Sequence, residues 1–160
     1  MLSLDALKRI PLFAGVGADS VEAIWDLGEE TRHDAGELIF ERGNQASDMM
    51  VVESGAAELF FPLSVLGVTK EVVVERVAPG DVLAWSALVG PYARTLSGRC
   101  SESCLVRRFA RDRLKALFEE RPSVGYAIME SLAAVVARRL DHFQNLWIRE
   151  VQAKIVRSLG

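Results

Sequence analysis

The chain has 160 residues, 50% of them hydrophobic, with 19 Lys and Arg against 22 Asp and Glu, a formal charge of −3. That length suits one domain with a proper core. The acidic balance argues against a domain that lives on nucleic-acid phosphates, and two cysteines cannot build a disulfide scaffold. No apolar run approaches the roughly 20 residues that span a bilayer. Asp5, Lys8 and Arg9 stand where a secretory signal would be continuously apolar, so the expectation is a cytoplasmic protein without membrane contact.

Residues 1–29 read as helix. Leu4, Leu7 and Ile10 make a short amphipathic stretch closed by Pro11. Asp19 with Glu22 has capping-box spacing and opens a segment whose Val21, Ile24, Trp25 and Leu27 face inward. From about 30 to 110 the signal is β: short Val-, Phe-, Leu- and Ile-rich runs punctuated by Gly36, Gly43, Gly55, Gly67 and Pro79-Gly80. Ser54-Gly55 reads as a tight hairpin turn between the runs Met49–Glu53 and Ala57–Phe61. Residues 70–77 form a further strand with Val72, Val74 and Val77, or their alternates, inward. Such spacing indicates a sandwich or jelly roll.

Beyond 110 the pattern is helical again. Asp112 caps a helix bearing Leu114, Leu117 and Phe118, which Arg121-Pro122 ends, because proline disfavours helical geometry in the residue before it. Ser123 then caps a long helix free of proline to about Leu159. Ile128, Leu132, Val136, Leu140, Phe143, Trp147 and Val151 recur on it at steps of three and four. Unbroken, it would run roughly 50 Å at 1.5 Å per residue, whereas a β-core of ~80 residues is nearer 30 Å across. Phe143, Leu146, Trp147 and Ile148 would then be bare on a monomer. Pairing across a two-fold axis through Leu132, Val136, Leu140, Phe143 and Trp147 covers them, and makes a homodimer the expected state. The alternative is a break near Arg149 that folds the helix back. The organisation is residues 1–122, helices plus β-roll, followed by the dimerising helix 123–160 as part of the same domain.

The chemistry concentrates between Pro79 and Ser97. A short strand over 81–83 leads into a single helical turn over 85–88, a loop opens at Gly90-Pro91, and Arg94-Thr95 leads into the next strand. Free N–H groups at the start of such a turn seat an anion. An arginine nearby can clamp two oxygens, and a threonine hydroxyl donates a third bond. An Arg-Thr pair at a strand entrance can equally be a solvated pair.

These residues, taken together, resemble the cyclic nucleotide-binding domain of catabolite-activator and kinase regulatory-subunit type, from about Leu4 to Leu140. The resemblance is carried by Leu7-x-x-Ile-Pro-Leu-Phe13, Ala35-Gly-Glu-Leu-Ile-Phe-Glu-Arg-Gly43, Asp48-Met-Met-Val-Val-Glu-Ser-Gly55, Ala78-Pro-Gly-Asp81 and Ala137-Arg-Arg-Leu140. It implies a mainly β fold with flanking helices, a double-stranded β-helix or jelly roll with a long C-terminal helix, and a cassette for a cyclic phosphate. The family's cassette runs hydrophobic-Gly-Glu, Ala/Gly-Leu, a loop, then Arg-Ser/Thr/Ala. Here Leu83, Ala84 and Trp85 come first, then Ala87-Leu88, then Arg94 as the phosphate arginine and Thr95 as its hydroxyl neighbour. The acid that takes the ribose 2′-hydroxyl is replaced by Trp85, and the family's base-touching positions fall near Phe143 and Gln144.

An indole cannot accept that hydrogen bond and fills space beside a ribose edge, so the exchange costs cyclic-nucleotide affinity. Three outcomes stand open: a closed structural pocket; a pocket for a different anion; or a weaker cyclic AMP or cyclic GMP site with Trp85 stacking. In the last two, Arg94, Thr95 and the amides of Trp85, Ser86 and Ala87 hold the anionic end. Leu83, Phe143 and Gln144 touch the ligand body.

No other constellation competes. His33 and His142 are too few and too far apart for a metal site and read as surface or edge residues. Cys100 and Cys104, four apart, read as buried thiols at strand ends, too distant to bridge unless the chain turns at Ser101–Ser103. No catalytic motif stands out. The expectation is a non-catalytic sensor module, with a ligand-free interaction domain as the alternative. A further alternative is the effector half of a DNA-binding regulator, since transcription-factor relatives continue into a helix-turn-helix whereas this sequence ends at Gly160, with no direct nucleic-acid contact of its own.

Overall fold

The computed structural model describes residues 4–159. Three short pieces come first: helix α1 (Leu4–Lys8), a 3-10 turn (Pro11–Phe13) and helix α2 (Ala18–Asp26). Val21, Ile24 and Trp25 of α2 are buried, as their spacing requires. The predicted capping box does not form. Gly17 is the N-cap, one residue before the helix, and no side chain caps it. Asp19 therefore lies within the first turn, where its charge still complements the helix dipole.

Eight strands follow: β1 (Glu29–His33), β2 (Leu38–Phe40), β3 (Asp48–Ser54), β4 (Ala57–Val65), β5 (Val68–Val77), β6 (Val82–Ala84), β7 (Ser97–Cys100) and β8 (Cys104–Ala110). They form two antiparallel four-stranded sheets of order β1-β8-β3-β6 and β2-β7-β4-β5, the jelly roll the sequence predicts. Successive residues of β3 point to opposite faces. Met49 and Val51 join a cluster with the helices, including Trp25, Phe109, Ile128 and Leu132. Met50 and Val52 join Leu59, Leu83, Val106 and both cysteines inside the roll.

Two strand readings change. Ser54-Gly55 is not a hairpin turn, because β3 and β4 belong to different sheets. The chain crosses between them there, and Gly55 sits at φ +75° with Ser103 O only 2.1 Å from where a Cβ would be, so no side chain is tolerated. In β5, Val77 is buried, but Val72 and Val73 are 45% and 44% exposed. The β4–β5 hairpin runs on past the rest of its sheet, since β7 pairs only with Ala57–Phe60 of β4, and Leu63, Val65, Val68, Val72 and Val73 on that extension are all exposed.

Cys100 and Cys104 are not free thiols. The chain reverses between them, bringing their Cα atoms to 6.1 Å, and they form a disulfide. His33 lies on edge strand β1, hydrogen-bonded through Nδ1 to Glu37 and through Nε2 to Thr31, and His142 is exposed. The bond from His33 holds the Glu37 carboxyl below its usual pKa, with the Asp34 amide adding to it.

Helix α3 (Arg111–Glu120) has Ala110 as its N-cap rather than Asp112. Helix α4 (Pro122–Leu159) starts one residue before the predicted Ser123 cap. Proline in a first turn loses no hydrogen bond, which makes the earlier start cheap. At Gly125 a Cβ would come within 2.8 Å of the Phe118 side chain, so glycine is what lets α3 and α4 pack this closely. Helix α4 runs 38 residues without a break at Arg149, about 57 Å by its rise per residue. Val124, Ile128, Leu132 and Val135 are buried in its first half, after which Leu140, Phe143, Leu146, Trp147 and Ile148 are exposed.

Candidate functional site

The roll interior ends in a hollow of about 440 Å³ between the β2-β7-β4-β5 sheet, the end of β6 and α4. Phe40, Leu59 and Phe61 line one side, and Leu83, Ala84 and Trp85 another. Thr95 and Leu96 close the loop side, Arg42 joins the wall, and α4 supplies Val136, Arg139, Leu140 and Phe143. The size lies within the range usual for small-molecule sites. Thr95 carries the sole side-chain hydrogen-bond acceptor in this lining, and no carboxylate belongs to it.

Arg94 does not point into water. It is 4% exposed, and its Nη2 donates to the Asp48 carbonyl at 2.8 Å and to Asp48 Oδ1 at 2.9 Å. Its guanidinium lies 4.8 Å from the ring centre of Phe40, a residue of the hollow's wall. Arg94 itself is not in the lining. Its Nη1 is buried without a partner among the described residues, an unusual state for a charged donor. Burial lowers the Arg94 pKa, while the Asp48 charge pushes back. Asp48 is the hub of this arrangement, because its other oxygen takes Nε of Arg108 at 2.6 Å.

A second buried cation sits on α4. Arg139 pairs with Glu75 of β5 at 2.6 Å and donates through Nη2 to the carbonyl of Val82 in β6. Burial lowers its pKa, with Glu75 opposing. It fastens the helix to two strands. It also stands between the hollow and a neighbouring cleft of similar volume lined by Arg76, Asp81, Arg138 and His142.

Of the predicted ligand residues, Leu83, Trp85, Thr95 and Phe143 come together in the hollow. Ser86 and Ala87 are buried but outside the lining, Ala87 within the helix-side core. Residues 85–88 make the predicted turn, closed by Leu88 N–H to Trp85 O at 3.0 Å, and neither the Ser86 nor the Ala87 amide donates a backbone hydrogen bond among the described residues. Gln144 is exposed and outside the lining. Among the predicted interface residues, Leu132 is corrected: it is 1% exposed and packs in its own core, so it has no free face for a partner. Val136 is half-buried in the hollow's wall, whereas Leu140 and Trp147 are 57% and 69% exposed.

Sequence reasoning missed Arg42, Phe40, Asp48 and Arg139. Arg139 did leave a signal, since it falls four residues after the inward Val135 on an otherwise apolar stripe. A charge there must find a partner. Asp48 left none, because its partners lie 46 and 60 residues away.

Residues 30–121 match the model of the cyclic nucleotide-binding domain family. A cGMP-dependent protein kinase of Drosophila melanogaster is 26% identical over 106 residues, 64% of this chain but 11% of the kinase. The chain thus spans about a tenth of that relative's length. Among solved structures, one described as a cyclic nucleotide-binding protein of Geobacter metallireducens is 28% identical. It matches with a TM-score of 0.71 over 88% of this chain and 99% of its own. The catabolite activator protein of Thermus thermophilus is 25% identical, with a TM-score of 0.71 over 89% of this chain and 63% of its own. No helix among the described residues is long and apolar enough to cross a membrane.

Proposed function

The chain belongs to the cyclic nucleotide-binding domain family, and from that premise we propose that it is a non-catalytic regulatory module. It takes a cyclic nucleotide or another small anionic ligand into the jelly-roll hollow and relays occupancy through α4, which pairs two chains. The observation that carries this reading is the origin of the hollow's outer wall. Val136, Arg139, Leu140 and Phe143 all belong to α4, so a ligand that fills the hollow touches the helix directly.

In this reading Trp85 packs over the ligand body. The anionic end lies toward Thr95, with Arg42 in the wall and Arg94 reached past the Phe40 ring. The unsatisfied Nη1 of Arg94 and the undonated amides of Ser86 and Ala87 support that polarity. The relay follows from Arg139. A ligand that packs beside it in the lining loosens or resets the contact that holds α4 on β5 and β6. The stripe Phe143, Leu146, Trp147 and Ile148 is the face assigned to the partner chain, and a homodimer in the cytoplasm is the working state.

Calorimetric titration with cyclic AMP and cyclic GMP tests the reading. Saturable binding of at least one of these nucleotides or of the anionic probe described below, lost in Arg94→Ala, is the expected result, accompanied by a changed hydrogen-exchange rate in α4. The competing reading, a ligand-free interaction domain, is favoured by the exposed apolar stripe alone. Silence toward both nucleotides and toward the anionic probe described below would select it.

A further inference from the structure

We propose that the ligand of the hollow is an organic anion with a flat apolar body and one charged group, rather than a nucleotide. Arg42 is the residue that selects its charge. The inference rests on the ligand-binding reading above and narrows it to one chemical class. A cyclic nucleotide brings its ribose 2′-hydroxyl and the N–H donors of its base into the site, and each one that is buried must find an acceptor or lose binding energy. Among the side chains of this lining only Thr95 Oγ1 can accept, because the rest of the wall is aliphatic, aromatic or guanidinium. A flat apolar body makes no such demand. It is matched by the facing rings and aliphatic groups of Phe40, Phe61, Leu83, Trp85 and Phe143.

The charge requirement comes from the guanidiniums. Arg139 is committed to Glu75 and the Val82 carbonyl. Arg42 has no carboxylate partner among the described residues; it lies 4.6 Å over the Phe61 ring, which holds its plane against the wall. An exposed guanidinium fixed by stacking beside an apolar hollow favours a single carboxylate or sulfonate at the mouth, met by two parallel N–H groups.

Fluorescence titration of the full chain with 8-anilinonaphthalene-1-sulfonate, its neutral counterpart N-phenyl-1-naphthylamine and cyclic AMP tests this. The expected result is one saturable sulfonate site per chain that cyclic AMP displaces only weakly. Affinity should fall about tenfold or more for the neutral probe and in Arg42→Gln. Because Arg42 is exposed, that variant should keep the wild-type melting temperature. Val156→Ser, on the exposed end of α4 beyond the face assigned to the partner chain, should leave the titration unchanged. Equal affinity for the neutral probe, insensitivity to Arg42→Gln, or loss of binding in Val156→Ser would each overturn the inference. Tight, stoichiometric cyclic AMP binding that displaces the sulfonate would overturn it too while leaving the regulatory reading intact. Silence toward all three probes would remove both.

Discussion

Strand β3 separates two interiors of different character. On one face Met49 and Val51 meet Phe109, Trp25 and Phe13, whose rings pack edge to face at 5.9 and 6.1 Å centre to centre, and the helices seal the layer. On the other, Met50 and Val52 meet the second sheet, and the packing gives way at one end to the hollow under α4. The same strand thus supports a filled core and an open one. Close packing on the helix side fixes the scaffold, which leaves the roll side free to keep open space.

The sharpest way to break this contrast is truncation on each side. Phe109→Ala, within the sealed layer and 0% exposed, should cost about 3–5 kcal/mol in urea unfolding. Asp48→Ala should follow at about 3 kcal/mol, since it strands the buried Arg94 charge. Leu83→Ala, whose side chain borders existing space, should cost about 2 kcal/mol, the low end of its class. If Leu83→Ala proved as costly as Phe109→Ala, the two interiors would not differ in the way described. Arg139→Met should shift stability least of the four, about 1 kcal/mol, because its aliphatic stem still packs. It should nevertheless speed hydrogen exchange in α4 near residue 139, and unchanged exchange would deny it the fastening role.

A parallel contrast runs along α4. Its first half is spent on the core, and its second half presents Trp147 and Ile148 to solvent. Trp147→Glu should change stability by less than about 0.5 kcal/mol and convert the chain to monomers in sedimentation velocity. A dimer that survives it would place the interface elsewhere.

Most of the fold was legible because it rests on short-range pattern. The alternation of Met49 to Val52, the turn glycines and the three-and-four spacing on α4 each specify local geometry. What failed was decided by distant pairing. Val72 reads inward until the β4–β5 hairpin is seen to run on past the rest of its sheet, and Ser54-Gly55 reads as a hairpin until the two strands are assigned to separate sheets. The helix caps failed for a smaller reason, since a boundary two residues off leaves a capping side chain inside the first turn. At the hollow, that Trp85 and Thr95 lie together was legible because their motif is contiguous. Asp48 and Arg42 act on Arg94 and Phe61 across the fold, where no sequence spacing advertises them.

The central claim is that the hollow beside α4 is a ligand site, and the chain's three tryptophans allow one direct measurement. Trp85 lines the hollow, Trp25 lies in the sealed core and Trp147 stands on the bare helix. In a 19F NMR titration of 5-fluorotryptophan-labelled protein with cyclic AMP, cyclic GMP and 8-anilinonaphthalene-1-sulfonate, the account predicts a saturable shift of the Trp85 line with at least one of them and a stationary Trp25 line. A Trp85 line that holds still with every one of these compounds at millimolar concentration would contradict it.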